Sequence, residues 1–82
     1  MNTKPPKIKS LKTQPNLIVE ILFTDNTIKR FDCKKIINRN ELYKKLENPS
    51  FFKNVKVDNG GYGISWDDDI DLSENELWEN GF

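Results

Sequence analysis

The stretch Gly60-Gly61-Tyr62-Gly63-Ile64-Ser65-Trp66-Asp67-Asp68-Asp69-Ile70-Asp71-Leu72-Ser73 constrains the chain more than any other. Asn59-Gly60-Gly61 supplies a hairpin turn, because glycine reaches the positive φ values that tight hairpins demand. Tyr62, Ile64 and Trp66 alternate with Gly63 and Ser65, which predicts a strand with those three side chains on one face. Gly63 is a candidate bulge. The acids that follow read as a corner, and Ser73 opens a capping box with Glu76 ahead of a short final helix bearing Leu77 and Trp78. Gly81 is the expected stop of that helix. A strand needs a hydrogen-bonding neighbour and a layer to pack on, so the upstream residues must provide both.

Lys7–Thr13 alternates weakly and follows Pro5-Pro6, which predicts an edge strand whose lysines discourage edge-to-edge pairing. Gln14-Pro15-Asn16 is a turn signal. Leu17, Val19, Ile21 and Phe23 fall on one face at period two and form the strongest strand. Asp25-Asn26 closes a hairpin onto Thr27–Asp32, where Ile28 and Phe31 are expected to be at least partly buried. From Cys33 the period changes: Ile36, Ile37, Leu42, Tyr43 and Leu46 fit a helical stripe, with Asp32 and Asn40 as N-caps. The expectation is a short turn at 33–37 and a helix at about 40–47, stopped by Pro49. Phe51 and Phe52 are expected core plugs, and Asn54–Asp58 the strand that enters the glycine hairpin. The predicted fold is α+β: a small antiparallel sheet of about five strands with a central helix and a short C-terminal helix, in the order β-β-β-α-β-β-α.

At 82 residues there is room for one core, and a chain of this size buries only about 60–65% of its unfolded surface. The organisation expected is a flexible N-terminal tail over residues 1–6 and a single domain over 7–82. Cys33 is the lone cysteine, which excludes an intramolecular disulfide and makes a reducing cytoplasm the expected compartment. The apolar run Leu17–Phe23 is interrupted by Glu20 and falls far short of the roughly 20 residues that span a bilayer. The N-terminus carries charge with no apolar region behind it, so neither a signal peptide nor membrane attachment is expected.

The formal net charge is zero, yet all 13 lysines and arginines lie between Lys4 and Lys56, while the last 26 residues carry eight acids and no base. Such asymmetry either neutralises itself within the fold or marks a surface for a charged partner. Asp67, Asp68, Asp69 and Asp71 are the sharpest cluster. A calcium loop is excluded, since counting from Asp67 places Leu72 where glycine and Trp78 where glutamate would stand. Acids ahead of a helix also favour its positive end, with Asp71 or Ser73 as the cap. The candidate partner-binding residues are therefore Trp66, Asp67, Asp68, Asp69, Asp71 and Trp78. The tryptophans count as anchors only where they are exposed beside the acids, and are otherwise core.

No catalytic constellation is visible. Histidine is absent, which removes the commonest general base and metal ligand. Cys33, flanked by Lys34 and Lys35, is expected to be a half-buried, inert thiol. Gly60-Gly61-x-Gly63 precedes a strand and not a helix, so it is no phosphate loop. No metal, cofactor or enzymatic activity is expected. An alternative nucleic-acid surface comprises Lys7, Lys9, Lys12, Lys29 and Arg30, although the acids would repel phosphates unless they faced away.

Order and punctuation resemble the domain of unknown function 2442 family of small bacterial proteins. The matching positions are Ile8 and Leu11, then Val19, Phe23 and Asp25, then Arg30, Phe31 and Asp32. They continue through Leu46, Pro49, Phe51 and Phe52, then Val55 and Val57, and end at Trp66, Asp71, Leu72, Ser73, Leu77 and Trp78. Three positions depart: Asn26 stands where glycine is usual, Glu74 where proline is common, and Trp78 where tyrosine is frequent. The resemblance implies an α+β domain with antiparallel strands and no established activity. It further implies a stand-alone bacterial or mobile-element protein, many relatives being encoded beside another very small protein as toxin–antitoxin pairs are. The expected function is a small non-catalytic protein-binding module of antitoxin or inhibitor type, either a monomer or an edge-strand dimer.

Overall fold

The computed structural model describes residues 5–82, so the expected tail lies, through residue 4, outside the described residues. Three antiparallel strands come first: β1 (Ile8–Gln14), β2 (Ile18–Phe23) and β3 (Ile28–Asp32), in spatial order β1-β2-β3. A second sheet follows in the order β4-β5-β6, from β4 (Lys56–Val57), β5 (Gly63–Asp67) and β6 (Ile70–Ser73). Between the sheets run two 3-10 segments, Cys33–Lys35 and Glu41–Glu47, and the single-turn helix α1 (Pro49–Phe52). The helix α2 (Glu74–Asn80) closes the fold.

Period-two alternation places the core. Val19, Ile21, Phe23 and Phe31 from the first sheet meet Ile64, Trp66, Ile70 and Leu72 from the second in one buried cluster. Ile36, Ile37, Leu46, Phe52, Val55 and Leu77 fill the gaps between them. Burying a side chain of this kind contributes about 1.5–3 kcal/mol, and a chain this short depends on nearly every one.

Local chemistry sets the boundaries. The Asp32 carboxylate accepts from the Lys34 N–H and the Asn40 side chain from the Leu42 N–H, so both expected caps form. Pro49 ends the preceding segment and starts α1, with the Asn48 side chain accepting from Ser50 and Phe51. Ser73 caps α2 by accepting from the Glu76 N–H. Asn26 takes a φ of +71° to close the β2–β3 turn.

The strands form two three-stranded sheets instead of the expected single sheet of about five. The added strand is β6: Ile70 and Leu72 are buried and alternate with exposed Asp71 and Ser73. What reads as an acidic corner is thus a second hairpin turn with a return strand. The expected helix at 40–47 is a 3-10 segment, in which Leu42 is exposed and only Leu46 is fully buried. Short helices with little apolar face gain too little to form good α-turns. Ile28 is 55% exposed, because it lies on the outer face of the first sheet with Arg30. Tyr62 precedes β5 and stays exposed under Lys7, whose Nζ sits 4.1 Å from its ring centroid.

Candidate functional site

The inner face of the second sheet is apolar, so the residues between core positions compose its outer face. Lys56 on β4, Ser65 on β5 and Asp71 on β6 lie in one row across the strands. Asp58 stands beside them and is fixed by accepting from the Ser65 hydroxyl. With Trp66, Asp67 and Asp68 these residues border a shallow hollow of about 340 Å³. The β5–β6 turn is built by Asp67, whose Oδ1 accepts from the N–H of Asp69 at 2.9 Å and of Ile70 at 3.0 Å. The Asp69 bond, reinforced by Lys45 and Ile70, holds the Asp67 carboxyl below its usual range.

Among the described residues the opposite charges of the two halves meet at three points. Lys7 pairs with Glu74 at 3.6 Å, Arg39 with Glu76, and Lys45 with Asp67 at 3.5 Å. Asp68, Asp69 and Asp71 are exposed and have no ion pair among the described residues. Segregated charge is therefore partly consumed by folding, and three of the acids left exposed, Asp68, Asp69 and Asp71, lie on the β5–β6 hairpin.

Of the residues singled out from sequence, Asp67, Asp68, Asp69 and Asp71 are brought together. Trp66 is only 6% exposed and donates its indole N–H to the Phe52 carbonyl, so its ring belongs to the core. Trp78 packs edge-on against Phe23 at 5.0 Å, with Lys29 Nζ 4.4 Å from its ring, on the first sheet and not beside the acids. Neither tryptophan is an exposed neighbour of the carboxylates.

The lysine surface is largely engaged. Glu20 lies between Lys12 and Arg30 in register and bridges both, at 3.3 and 3.1 Å. Lys29 donates to the Trp78 carbonyl at 2.5 Å and Lys7 pairs with Glu74. Lys9, at the bulge of β1, is left exposed. Cys33 is fully buried, and that burial pushes its thiol up to about 12, so no thiolate forms near neutral pH. No helix of the described residues is long and apolar enough to cross a membrane. Among the described residues no group of three or more acids and cysteines is disposed to hold a metal ion.

Sequence reasoning missed Asp58 and Ser65 as members of this face. Their signal was present in the alternation of Lys56-Val57-Asp58 and Gly63-Ile64-Ser65, which assigns the polar members to the side away from the core. No curated protein and no solved structure matches the chain. A family model does match, over residues 8–82. The chain belongs to the family described as protein of unknown function (DUF2442).

Proposed function

We propose that this protein is a small non-catalytic binding module that captures a basic protein surface on its β5–β6 hairpin, as an antitoxin or inhibitor would. The observation that carries the reading is the set of three exposed carboxylates, Asp68, Asp69 and Asp71, without an ion pair among the described residues, on a hairpin whose geometry is fixed by a fourth, Asp67. Fixed charges of one sign steer association and select partners. Lys7, Lys12, Lys29 and Arg30 are already held by internal partners, which weighs against the alternative in which they contact nucleic acid.

The test is affinity capture from the host's lysate after nuclease treatment, comparing the native chain with a D68N/D69N/D71N variant. Asp67 is kept because it builds the turn. A protein recovered with the native chain and lost with the variant supports the reading. Equal recovery by both moves the contact elsewhere, and recovery only without nuclease favours the lysine surface.

A further inference from the structure

Every strand in a sheet sends its backbone groups alternately to one neighbour and the other. The Asp58 N–H donates to the Gly63 carbonyl and the Glu74 N–H to the Tyr62 carbonyl, each at 2.9 Å. Gly63 thus faces β4, while Tyr62 and Ile64 face β6. Since Ile64 lies opposite Leu72, Leu72 is spent on β5, and Asp71 and Ser73 face away from the sheet. Ser73, as N-cap, turns its carbonyl into α2. Three backbone groups remain on the outer edge of β6: the N–H and C=O of Asp71 and the N–H of Ser73. None has a backbone partner among the described residues, and both residues are exposed.

The edges of the first sheet differ. The outward N–H and C=O of Arg30 at the centre of β3 are both taken by Phe82, at 2.9 and 2.8 Å. The outward residues of β1, Leu11 and Thr13, are half-buried. Lysines at 9 and 12 further mark β1 as an edge defended against pairing. The β6 edge bears no lysine and runs from the exposed Asp68 and Asp69.

We infer that β6 is a docking edge that accepts one extended segment of a basic protein partner as an added strand. This rests on the reading of the hairpin as a partner surface and specifies how the partner is held. Main-chain hydrogen bonds to Asp71 and Ser73 supply affinity and side chains supply selectivity, as in strand addition generally. Alternation gives the segment its chemistry. Side chains on the outer face come beside the Asp71 carboxylate and must be lysine or arginine. Those on the inner face flank buried Ile70 and Leu72 and must be apolar.

The probe is the peptide acetyl-Lys-Val-Lys-Val-Lys-Val-amide, added at low ionic strength to the full-length ¹⁵N-labelled chain, with binding and amide hydrogen exchange read residue by residue. The expected result is saturable binding that slows exchange at Asp71 and Ser73 by about tenfold or more, with affinity falling about tenfold in D68N/D69N/D71N. Binding that is lost in the triple variant yet leaves both amides exchanging as before overturns the added strand and leaves the charged surface standing. Binding that persists in the triple variant with exchange unchanged overturns both. Absence of saturable binding overturns the docking edge. Concentration-dependent association in sedimentation velocity, with Asp71 and Ser73 protected before peptide is added, makes a second copy the occupant and overturns the proposal.

Discussion

The indole N–H of Trp66 donates a 2.9 Å hydrogen bond to the backbone carbonyl of Phe52, and the two rings stack with centroids 6.0 Å apart. This bond ties β5, which leads into the acidic hairpin, to the proline-phenylalanine corner at α1. Trp66 therefore positions the candidate site from the core side, with little of its ring exposed. Replacing it with phenylalanine keeps an aromatic ring but leaves the Phe52 carbonyl without its donor. An orphaned buried acceptor costs about 1–3 kcal/mol, so W66F is expected to lower the unfolding free energy read from urea denaturation by that amount while the folded fraction keeps the proposed partner binding. A change below about 0.5 kcal/mol, within the range of ordinary surface substitutions, would mean that the carbonyl is satisfied another way.

Three aspartates whose carboxylates accept turn N–H groups, Asp25, Asp32 and Asp67, make stability depend on acid. Asp67 is held low first by the Asp69 N–H, and Asp25 first by the Thr27 N–H. At Asp32 burial acts upward, but hydrogen bonds from Lys34 outweigh it and the net shift is also down. Each group has a folded pKa below its ordinary value of 3.8. Its stabilisation is therefore complete above that value and is lost as pH falls through the lower folded one. The urea midpoint should be flat from neutral pH to about 5 and should fall at lower pH. D67N should flatten part of that fall, since the amide oxygen still caps the turn and no longer titrates. An acid limb identical in D67N would remove Asp67 from this account.

Much of this fold is legible in the sequence where one periodicity acts alone. Val19, Ile21 and Phe23 announce β2, and Asp32, Asn40 and Ser73 occupy cap positions where they form the expected bonds. Legibility fails where two signals overlap. Ile70 and Leu72 alternate with Asp71 and Ser73, yet aspartate is rare in strands, and the acid density around Ile70 reads as a corner. The division into two sheets is a long-range outcome that no local pattern encodes, because β3 and β4 are separated by irregular 3-10 segments. The clustering of Asp67–Asp71 needed no structure. Which of its carboxylates are free did, since Asp67 is consumed by its own turn and by Lys45.

Cys33 should be silent toward thiol reagents. Burial, aided by the Asp32 charge, raises its thiol from 9.0 to about 12. The native chain should resist alkylation at pH 8 and react fully in urea. The same shift has a second consequence of definite sign. Above 9.0 the unfolded thiol loses its proton and the folded one keeps it, so stability falls as pH rises, by about 1.4 kcal/mol per unit from this group. C33A should lack this component of the alkaline limb. Rapid alkylation of the native chain would show that Cys33 is reached by local opening.

Phe82 and Arg30 exchange two backbone hydrogen bonds, so the end of the described chain lies against β3 as a one-residue strand. Gly81 permits the approach. Its φ of −77° suits any residue, so the constraint is space: a Cβ there would lie 2.5 Å from the Leu77 carbonyl oxygen and 3.2 Å from that of Arg30. G81A should shift the end of α2, detach Phe82 and expose the Arg30 amide. Its exchange should accelerate by about tenfold or more, with a stability loss of about 1–2 kcal/mol for two hydrogen bonds at the surface. G61A should cost more, because Gly61 combines a φ of +75° with a Cβ position 2.5 Å from the Ile8 carbonyl oxygen. It thus adds left-handed strain of about 1–2 kcal/mol to the clash. Equal, small effects in both variants, with Arg30 exchange unchanged, would show that neither close approach holds in solution.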